Sequence, residues 1–322
     1  MGRSGLRQLG RQCDGAVDAI MASLMQSLKL SMPAWLTGRR LVIGLPYAWF
    51  LILAFLPVLI VLKISLSEMQ TTAVSGMVGW QGAWPSIKLD VSSYLFLASD
   101  ELYLATYLSS ISYAFYTTVI CLGLGYPFAY FMARAPKRWQ ALLVMLIMLP
   151  FWTSFLLRIY AWKTLLVNNG LINNALLAIG WIDSPIEMLN TPFSLMIGMV
   201  YSYLPFMILP LYANLSKLDG RYLEAAADLG CHPFKTFWLI TVPLSKAGIV
   251  AGCMLVFIPA VGEYVIPELL GGPNTLMIGR VLWDEFFSNN DWPMAGAVTI
   301  VMLLLIMLPL AIYNKLQSEG RA

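Results

Sequence analysis

The chain has 322 residues, of which 59% are hydrophobic and 11% are charged, and its mean hydropathy is +0.73. Soluble domains carry about 25% charged residues, so this composition excludes a water-soluble fold and indicates a protein embedded in a bilayer. The net charge of +3 says little by itself about partners.

Residues 1–33 are predicted to form an amphipathic helix in the membrane interface. Apolar side chains recur there every three or four residues, charged residues lie on the other faces, and Pro33 ends the pattern. A signal peptide would need an unbroken apolar core, and Asp14 and Asp18 interrupt this one.

Six later stretches are apolar and long enough to cross a membrane, which takes ~20 residues of helix. They are residues 41–66, 109–132, 141–167, 192–215, 247–270 and 294–314. Each contains a proline, which membrane helices tolerate because neighbouring helices can satisfy the freed carbonyl groups. The sequence therefore predicts an all-α, polytopic membrane protein with six transmembrane helices.

The lysine and arginine residues are distributed unevenly between the loops of this topology. With the N-terminus inside, 15 of the 20 lie on the cytoplasmic side, and this bias predicts that both termini are cytoplasmic. Residues 67–108 then form one long outer loop. Loops of this length usually have a function, and a surface for an extracytoplasmic partner, a lid and a packing cap all remain open.

The predicted cytoplasmic loop at 219–243 divides into two short helices. Asp219 is a good N-cap for the first helix, and Gly230 suits the left-handed position that ends it. Pro233 falls at the start of the second helix, where a missing N–H group costs nothing. Pro243 leads into the fifth span. A helix–glycine–helix element between two spans favours a mechanical contact with a partner.

Two acids and a run of alanines give the first helix a recognisable surface. Glu224 and Asp228 lie four residues apart and share one face, and the alanines allow a partner backbone to come close. The segment resembles the EAA loop of bacterial ABC-importer permeases. The pattern of that loop is EAA, three residues, Gly, nine residues and Ile-x-Leu-Pro. Only Val242 departs from the pattern, at a position where leucine is usual. In that family the loop seats in a groove of a separate ATPase. The resemblance therefore implies the ATPase-coupling residues Glu224, Ala225, Ala226, Asp228, Gly230 and Pro243.

The chain is not expected to bind ATP or a metal itself. Residues 230–236 superficially resemble a phosphate-binding loop, but Phe234 stands where glycine must precede the lysine. The cysteines at 13, 121, 231 and 253 form no CxxC pair, so no disulfide or zinc site is expected. The single histidine, His232, is adjacent to Cys231 and is interpreted, like it, as a packing or capping residue. No cofactor is expected in this chain, and ATP is expected on partner subunits.

Glu263 is the most isolated acid inside any predicted span. An unpaired charge there costs ~2.5–3.5 kcal/mol on insertion scales, so a role in a substrate path or an ion pair with Arg158 or Lys163 is expected, and both remain open. Gly262 and Pro259 beside it suggest a locally opened backbone. Aromatic faces that could meet a cation along the path, or pack in the core instead, are those of Trp152, Tyr160, Tyr201 and Tyr203.

A wider resemblance covers most of residues 108–315. Residues 150–162 and 269–275 are similar to the third-span and fifth-span signatures of spermidine and putrescine permeases, and the whole chain is most similar to the putrescine permeases. The resemblance implies the type I (MetI-like) ABC importer permease fold, with a five-helix core over 109–315, in a bacterial inner membrane. It implies import of a polyamine, putrescine in the first place. The implied partners are a second, homologous permease chain, two copies of a cytoplasmic ATPase, a periplasmic substrate-binding protein and membrane lipid, with no nucleic acid.

Other functions would leave different marks. An ABC permease for another small solute, such as ferric iron, thiamine or spermidine, would share the EAA loop and differ along the path. An ion-coupled secondary transporter could use Glu263 as a proton or sodium site but would not need the loop. A membrane enzyme would need clustered His, Asp or Glu, which one histidine without metal spacing disfavours.

Overall fold

A computed structural model of the protein describes residues 39–319 except 71–72, 75–77, 82–83, 88 and 274. The predicted amphipathic helix at 1–33 lies outside the described residues. The chain divides into two compact units, Met1–Ile60 and Val61–Ala322.

The predominantly helical class is confirmed. The helices are α1 Arg39–Ser65, α2 Ser92–Ser99, α3 Glu101–Arg134, α4 Lys137–Met148, α5 Phe155–Leu166, α6 Leu171–Ile179, α7 Pro192–Leu215, α8 Arg221–Asp228, α9 Pro233–Thr236, α10 Val242–Leu244, α11 Lys246–Val261, α12 Val265–Leu270, α13 Ile278–Trp283 and α14 Trp292–Glu319.

Three tighter or wider helical turns connect some of these helices. They are a 3₁₀ turn at Leu149–Trp152 and π-helical turns at Phe237–Thr241 and Asp284–Ser288. Two short antiparallel hairpins are the exception to the helical class within the described residues. They pair β1 Met69–Gln70 with β2 Ala73–Val74, and β3 Val78–Gln81 with β4 Trp84–Ile87. Both lie in the predicted outer loop, which therefore has regular structure of its own.

Four described helices are long and apolar enough to cross a membrane, and two bent helix pairs raise the number to six if each pair counts as one span. The four are Val42–Ser65, Glu101–Arg134, Pro192–Leu215 and Trp292–Ala311. The bent pairs are Lys137–Trp152 with Phe155–Ile179, at 83°, and Pro233–Leu244 with Lys246–Val261, at 67°. The six helical regions correspond in order to the six predicted spans.

The second helical region begins earlier than the predicted boundary at 109. The Asp100 carboxylate caps α3 by accepting the Leu102 N–H at 2.8 Å. The first turns then bury Tyr103 and Tyr107, whose hydroxyls donate to Glu285 and to the Val298 carbonyl, each at 2.7 Å. A hydropathy argument misses these turns because it counts the tyrosines as polar, although each hydroxyl has a partner.

The third helical region is broken rather than continuous over 141–167. Pro150 lies in the 3₁₀ turn, and Thr153 is extended before α5 begins. A proline cannot donate its backbone hydrogen bond, so a helix kinks or breaks there. The Pro150 carbonyl at this break accepts hydrogen bonds from the Thr153 hydroxyl at 2.7 Å and from the Thr153 N–H at 3.4 Å.

The core is formed by α3, α7 and α11, which pack directly against one another. Glycines allow the close approach of α11 and α7. A Cβ atom at Gly248 would lie 2.7 Å from the Asn214 Cβ, and one at Gly252 would lie 2.7 Å from the Met207 sulfur. Small residues at helix contacts are the usual means of tight packing in membranes. As a result, α11 is fitted closely to α7 along its first half.

Candidate functional site

The predicted coupling segment, residues 219–243, folds as a helix, a glycine break and a second helix. The first helix is α8. The structure places the N-cap at Gly220 rather than at the predicted Asp219, and the Asp219 carboxylate accepts the Arg221 N–H at 3.0 Å from one position earlier. Arg221 also lies 3.9 Å from the other Asp219 oxygen, in an exposed ion pair. These contacts fix where the first helix begins.

Gly230 ends α8 in the left-handed conformation, with φ of 75°. The Cys231 N–H donates to the Ala226 carbonyl at 2.9 Å, and the Gly230 N–H donates to the Ala227 carbonyl at 2.8 Å. This pair of bonds is the Schellman motif, which satisfies carbonyl groups at a helix C-terminus. The predicted left-handed position of Gly230 is confirmed.

The second helix begins at the predicted proline. Pro233 occupies the first position of α9, and the His232 ring nitrogen Nδ1 accepts the Phe234 N–H at 3.3 Å. The interpretation of His232 as a capping residue is confirmed. From Pro233 the helix continues to Leu244 through the π-helical turn at Phe237–Thr241.

The coupling segment presents most of the predicted coupling residues to its surroundings. Five of the six are exposed: Glu224, Ala225, Asp228, Gly230 and Pro243. Ala226 is buried instead and packs inward. Large apolar side chains are exposed beside the acids, with Leu229 at 88% of its full accessibility. Acids interspersed with exposed apolar groups form a surface suited to a protein partner.

The coupling segment is fastened to the core by residues that the sequence analysis did not single out. The Phe237 ring packs edge-on against Tyr126 and Tyr130 of α3, with ring centroids 5.4 and 5.8 Å apart. The Tyr126 hydroxyl forms a buried hydrogen bond of 2.8 Å with the Ser245 hydroxyl. Ser245 lies at the 67° bend between the second helix and α11. The available sequence signal was the spacing of four residues between Tyr126 and Tyr130, which places both rings on one face of a helix.

The second predicted site, Glu263, lies in a break between α11 and α12. The predicted opening of the backbone beside Gly262 is confirmed, since α11 ends at Val261 and α12 begins at Val265. One Glu263 oxygen accepts the Val265 and Ile266 N–H groups at 3.1 and 3.4 Å. The carboxylate therefore caps α12.

The other Glu263 oxygen accepts a hydrogen bond of 2.5 Å from the Tyr203 hydroxyl of α7. Gly279 packs closely against the backbone of the break. A Cβ atom there would lie 2.5 Å from the Gly262 carbonyl and 2.6 Å from the Glu263 carbonyl. A carboxylate offers about four acceptor positions, so the three N–H and O–H donors leave capacity for a further cation.

The predicted path residues do not all gather at this carboxylate. Tyr203 contacts Glu263, and Tyr201 packs edge-on against Trp162, with centroids 5.5 Å apart. Trp152 is 80% exposed and Tyr160 is 50% exposed, and neither contributes to the carboxylate's hydrogen bonds. Of the four predicted aromatic residues, the structure thus places Tyr203 in contact with the Glu263 carboxylate.

The alternative ion pair of Glu263 with Arg158 or Lys163 is not formed. Over the described residues, the ion pairs join Arg221 to Asp219 and Arg280 to Glu268. The Arg158 guanidinium lies over the Phe151 and Phe155 rings instead, 4.7 and 5.7 Å from their centroids. Its charge is met by aromatic faces.

An aromatic stack borders the same backbone break. The Tyr264 and Trp283 rings stack with their centroids 4.3 Å apart. The centroids of the Trp283 and Phe287 rings lie 4.1 Å apart. With Gly262 and Gly279 they border a mainly apolar cavity of about 340 Å³. The sequence analysis did not predict this cluster. The available signal was the spacing of four residues between the aromatic residues at 283 and 287.

Residues 269–273 and 275 form the exit from α12. A Cβ atom at Gly272 would lie 2.1 Å from the Asn190 carbonyl oxygen, so only glycine allows this approach. The Ser194 hydroxyl donates to the Leu270 carbonyl at 2.7 Å, and the Thr275 hydroxyl bonds the Gly272 backbone. The exit of α12 is therefore tied to the start of α7.

Comparison with known proteins places this arrangement among transport components. Residues 125–318 match the family described as binding-protein-dependent transport system inner membrane component. A Haemophilus influenzae protein named spermidine/putrescine transport system permease protein PotB is 37% identical over 284 residues, covering 87% of this chain and 96% of that protein. The Escherichia coli protein of the same name is 39% identical over 265 residues, covering 82% and 92% of the two chains.

Two solved structures share the fold. A bacterial ABC transporter involved in the import of the acidic polysaccharide alginate aligns with a TM-score of 0.62 at 16% identity, over 91% of this chain and 99% of that chain. The alginate transporter in complex with an alginate pentasaccharide-bound periplasmic protein aligns with a TM-score of 0.66 at 15% identity, over 88% and 96%. At these identities the likeness concerns the fold alone, and it confirms the expected importer permease fold.

Proposed function

Because this chain belongs to the family of binding-protein-dependent transport system inner membrane components, we propose that it carries a polyamine, spermidine or putrescine, through the membrane. The chain is a transport component of an ABC importer and not an enzyme. The observation that carries the choice of cargo is the identity of 37–39% to relatives named for spermidine and putrescine together. The sequence resemblance favoured putrescine in the first place, with spermidine among the alternatives, and the proposal includes both polyamines.

The environment of Glu263 supports a cationic cargo. Its carboxylate holds the N-terminus of α12 through one oxygen and the Tyr203 hydroxyl through the other. An ammonium group of a polyamine is a stronger partner for a carboxylate than a neutral phenol. In this proposal the ammonium group replaces the Tyr203 hydroxyl, while the bonds to α12 remain. A site made of one carboxylate and aromatic faces attracts a polyamine without trapping it.

Energy comes from a separate ATPase that docks on the coupling segment. Glu224 and Asp228 lie on its exposed surface with Leu229 and Phe234. A displacement of this surface would reach the core through the contact of Phe237 with α3 and through the Ser245 bend. The resemblance to the EAA loop supports this assignment. Two copies of the ATPase and a second permease chain complete the proposed importer, and ATP is bound by the ATPase copies.

A periplasmic substrate-binding protein delivers the polyamine on the outer side. Binding-protein dependence is part of the family description, and one structure of the shared fold contains a periplasmic protein. The positive-inside bias supports an orientation with both termini in the cytoplasm, which places the two hairpins and α2 outside.

The proposal is tested by uptake in bacterial cells that lack this subunit and then regain it. Labelled spermidine and putrescine should be taken up only by the complemented cells, and uptake should stop when ATP is depleted while the ion gradients are maintained. Uptake of ferric iron or thiamine, with no polyamine uptake, would replace the proposed cargo. Uptake that follows an ion gradient without ATP would instead support a secondary transporter.

A further inference from the structure

The turn between α3 and α4 forms a groove with basic residues along its rim. A cavity of about 420 Å³ opens there, and its surface is almost entirely apolar. It is lined by Phe131, Arg134, Ala135, Pro136, Trp139 and Leu143. Phe131 and Trp139 are 63% and 48% exposed, so the walls of the groove are open to the surroundings of the protein.

The backbone of this turn is held in place by a network of hydrogen bonds. The Gln140 amide donates to the Ala133 and Ala135 carbonyls at 3.2 and 2.9 Å. The Tyr212 hydroxyl of α7 in turn donates to the Gln140 carbonyl oxygen at 3.3 Å. The groove is therefore shaped before any ligand arrives, which reduces the entropy lost on binding.

Three cations on this turn have no acidic partner among the residues that the structure describes. Arg134, Lys137 and Arg138 are exposed, and none of them takes part in an ion pair within the described part of the chain. The Arg134 guanidinium lies over the Tyr130 ring at 5.4 Å, and that of Arg138 lies over Trp139 at 5.9 Å. Stacking on a ring leaves the N–H groups at the guanidinium edge free for an anion.

The groove lies at the junction of two candidate membrane spans, the position where lipid headgroups are expected. The α3 span ends at Arg134 and the next bent span begins at Lys137, so the turn marks the edge of the hydrocarbon region. Trp139 is typical of this interfacial layer. An anion with a long apolar tail matches both halves of the groove, and phospholipids with a net negative charge supply this combination at this depth.

We propose that the groove binds an anionic phospholipid, with its phosphate on Arg134 and Arg138 and an acyl chain along Phe131 and Leu143. The bound lipid would lie close to the coupling segment, because Tyr130 beneath Arg134 also contacts Phe237. The binding itself depends only on the groove and not on the identity of the cargo.

The test counts lipids retained by the purified importer complex in native mass spectrometry. The complex is titrated with phosphatidylglycerol or with phosphatidylcholine that carries the same acyl chains. Wild-type protein should retain phosphatidylglycerol in preference to phosphatidylcholine. The double variant Arg134→Gln/Arg138→Gln should bind phosphatidylglycerol about 25-fold more weakly, about five-fold for each charge removed, with binding of phosphatidylcholine unchanged.

Two further variants separate this site from a general charge effect or a folding defect. Lys217→Gln/Lys246→Gln removes the same charge from exposed positions outside the groove and should keep the wild-type preference. Arg134→Lys/Arg138→Lys keeps the charge and should retain most of the binding. Equal retention of phosphatidylglycerol by the glutamine variant and the wild type would overturn the proposal. The proposal would also be overturned if the glutamine variant lost the ATPase but still retained phosphatidylglycerol. The groove would then be a contact for a protein and not for a lipid.

Discussion

Replacement of Gly230 by alanine is the sharpest probe of the coupling segment. Gly230 has a φ of 75°, and no atom lies within 4 Å of the position that a Cβ would take. The substitution therefore adds no clash, and its cost is purely conformational, about 1–2 kcal/mol for an L residue in the left-handed region. That cost lowers the population of the observed helix–glycine–helix geometry by about 5- to 30-fold relative to alternatives.

The assay measures polyamine uptake and substrate-stimulated ATPase activity of the complex in proteoliposomes. Gly230→Ala should reduce both, because the ATPase would meet a misaligned second helix. Two glycines provide matched controls. Gly180 has the same φ of 75° and the same open surroundings outside the coupling segment, and Gly220 lies inside it with an ordinary helical φ of −58°.

Gly180→Ala should lower thermal stability and leave coupling intact, and Gly220→Ala should leave both intact. If Gly180→Ala impaired coupling as strongly as Gly230→Ala, the effect would be one of general stability. If Gly230→Ala behaved as wild type, the glycine break would not set the docking geometry, and the reasoning would be refuted.

Three further predictions concern the membrane core. Glu263→Gln keeps the size of the side chain and removes its charge, so the KM for polyamine uptake should rise about tenfold or more, as expected for loss of one charged hydrogen bond, with ATPase binding in pull-downs unchanged; an unchanged KM would make the acid structural. Gly279→Ala forces a methyl group to within 2.5 Å of a backbone carbonyl and should lower the free energy of unfolding by about 1–3 kcal/mol. The matched change Gly262→Ala meets only side-chain atoms at 3.6 Å or more. Thermal unfolding in detergent should separate the two variants, and equal melting temperatures would contradict the close approach. Tyr126→Phe removes the buried hydrogen bond between the Tyr126 and Ser245 hydroxyls at the bend before α11. It should uncouple ATP hydrolysis from uptake more than it reduces hydrolysis. A parallel loss of both would point to a folding defect.

The coupling segment was predictable because its signals are local. Asp219, Gly230 and Pro233 each act on neighbouring backbone groups, so their spacing in sequence specifies their geometry. The candidate spans followed for a similar reason, since each is defined by its own apolarity. The boundary errors occurred where a tertiary contact changed the local rule, as at the buried tyrosines that begin α3.

The partners of Glu263 were not predictable from its neighbourhood in the chain. The charge alone suggested an ion pair across to the third span, because an unpaired acid in a membrane is costly. The structure meets the charge with a phenol 60 residues away and with backbone N–H groups exposed by the break. Only the packing of α7 beside α12, which no single-sequence pattern encodes, brings that phenol to the acid.

The coupling segment and Glu263 lie at opposite ends of one helix. α11 runs from Lys246 to Val261, a length of about 24 Å at 1.5 Å per residue, with the Ser245 bend before it and the Gly262 break after it. Its glycines fit so closely against α7 that an added Cβ atom at Gly248 or Gly252 would lie 2.7 Å from a side-chain atom of α7. Packed cores of this kind move as units rather than deform. We therefore infer that a displacement at the coupling segment reaches Glu263 by rotation of α7 and α11 together. The Ser245 bend and the Gly262 break are the two places beside α11 where the chain changes direction, and Glu263 lies at the second of them.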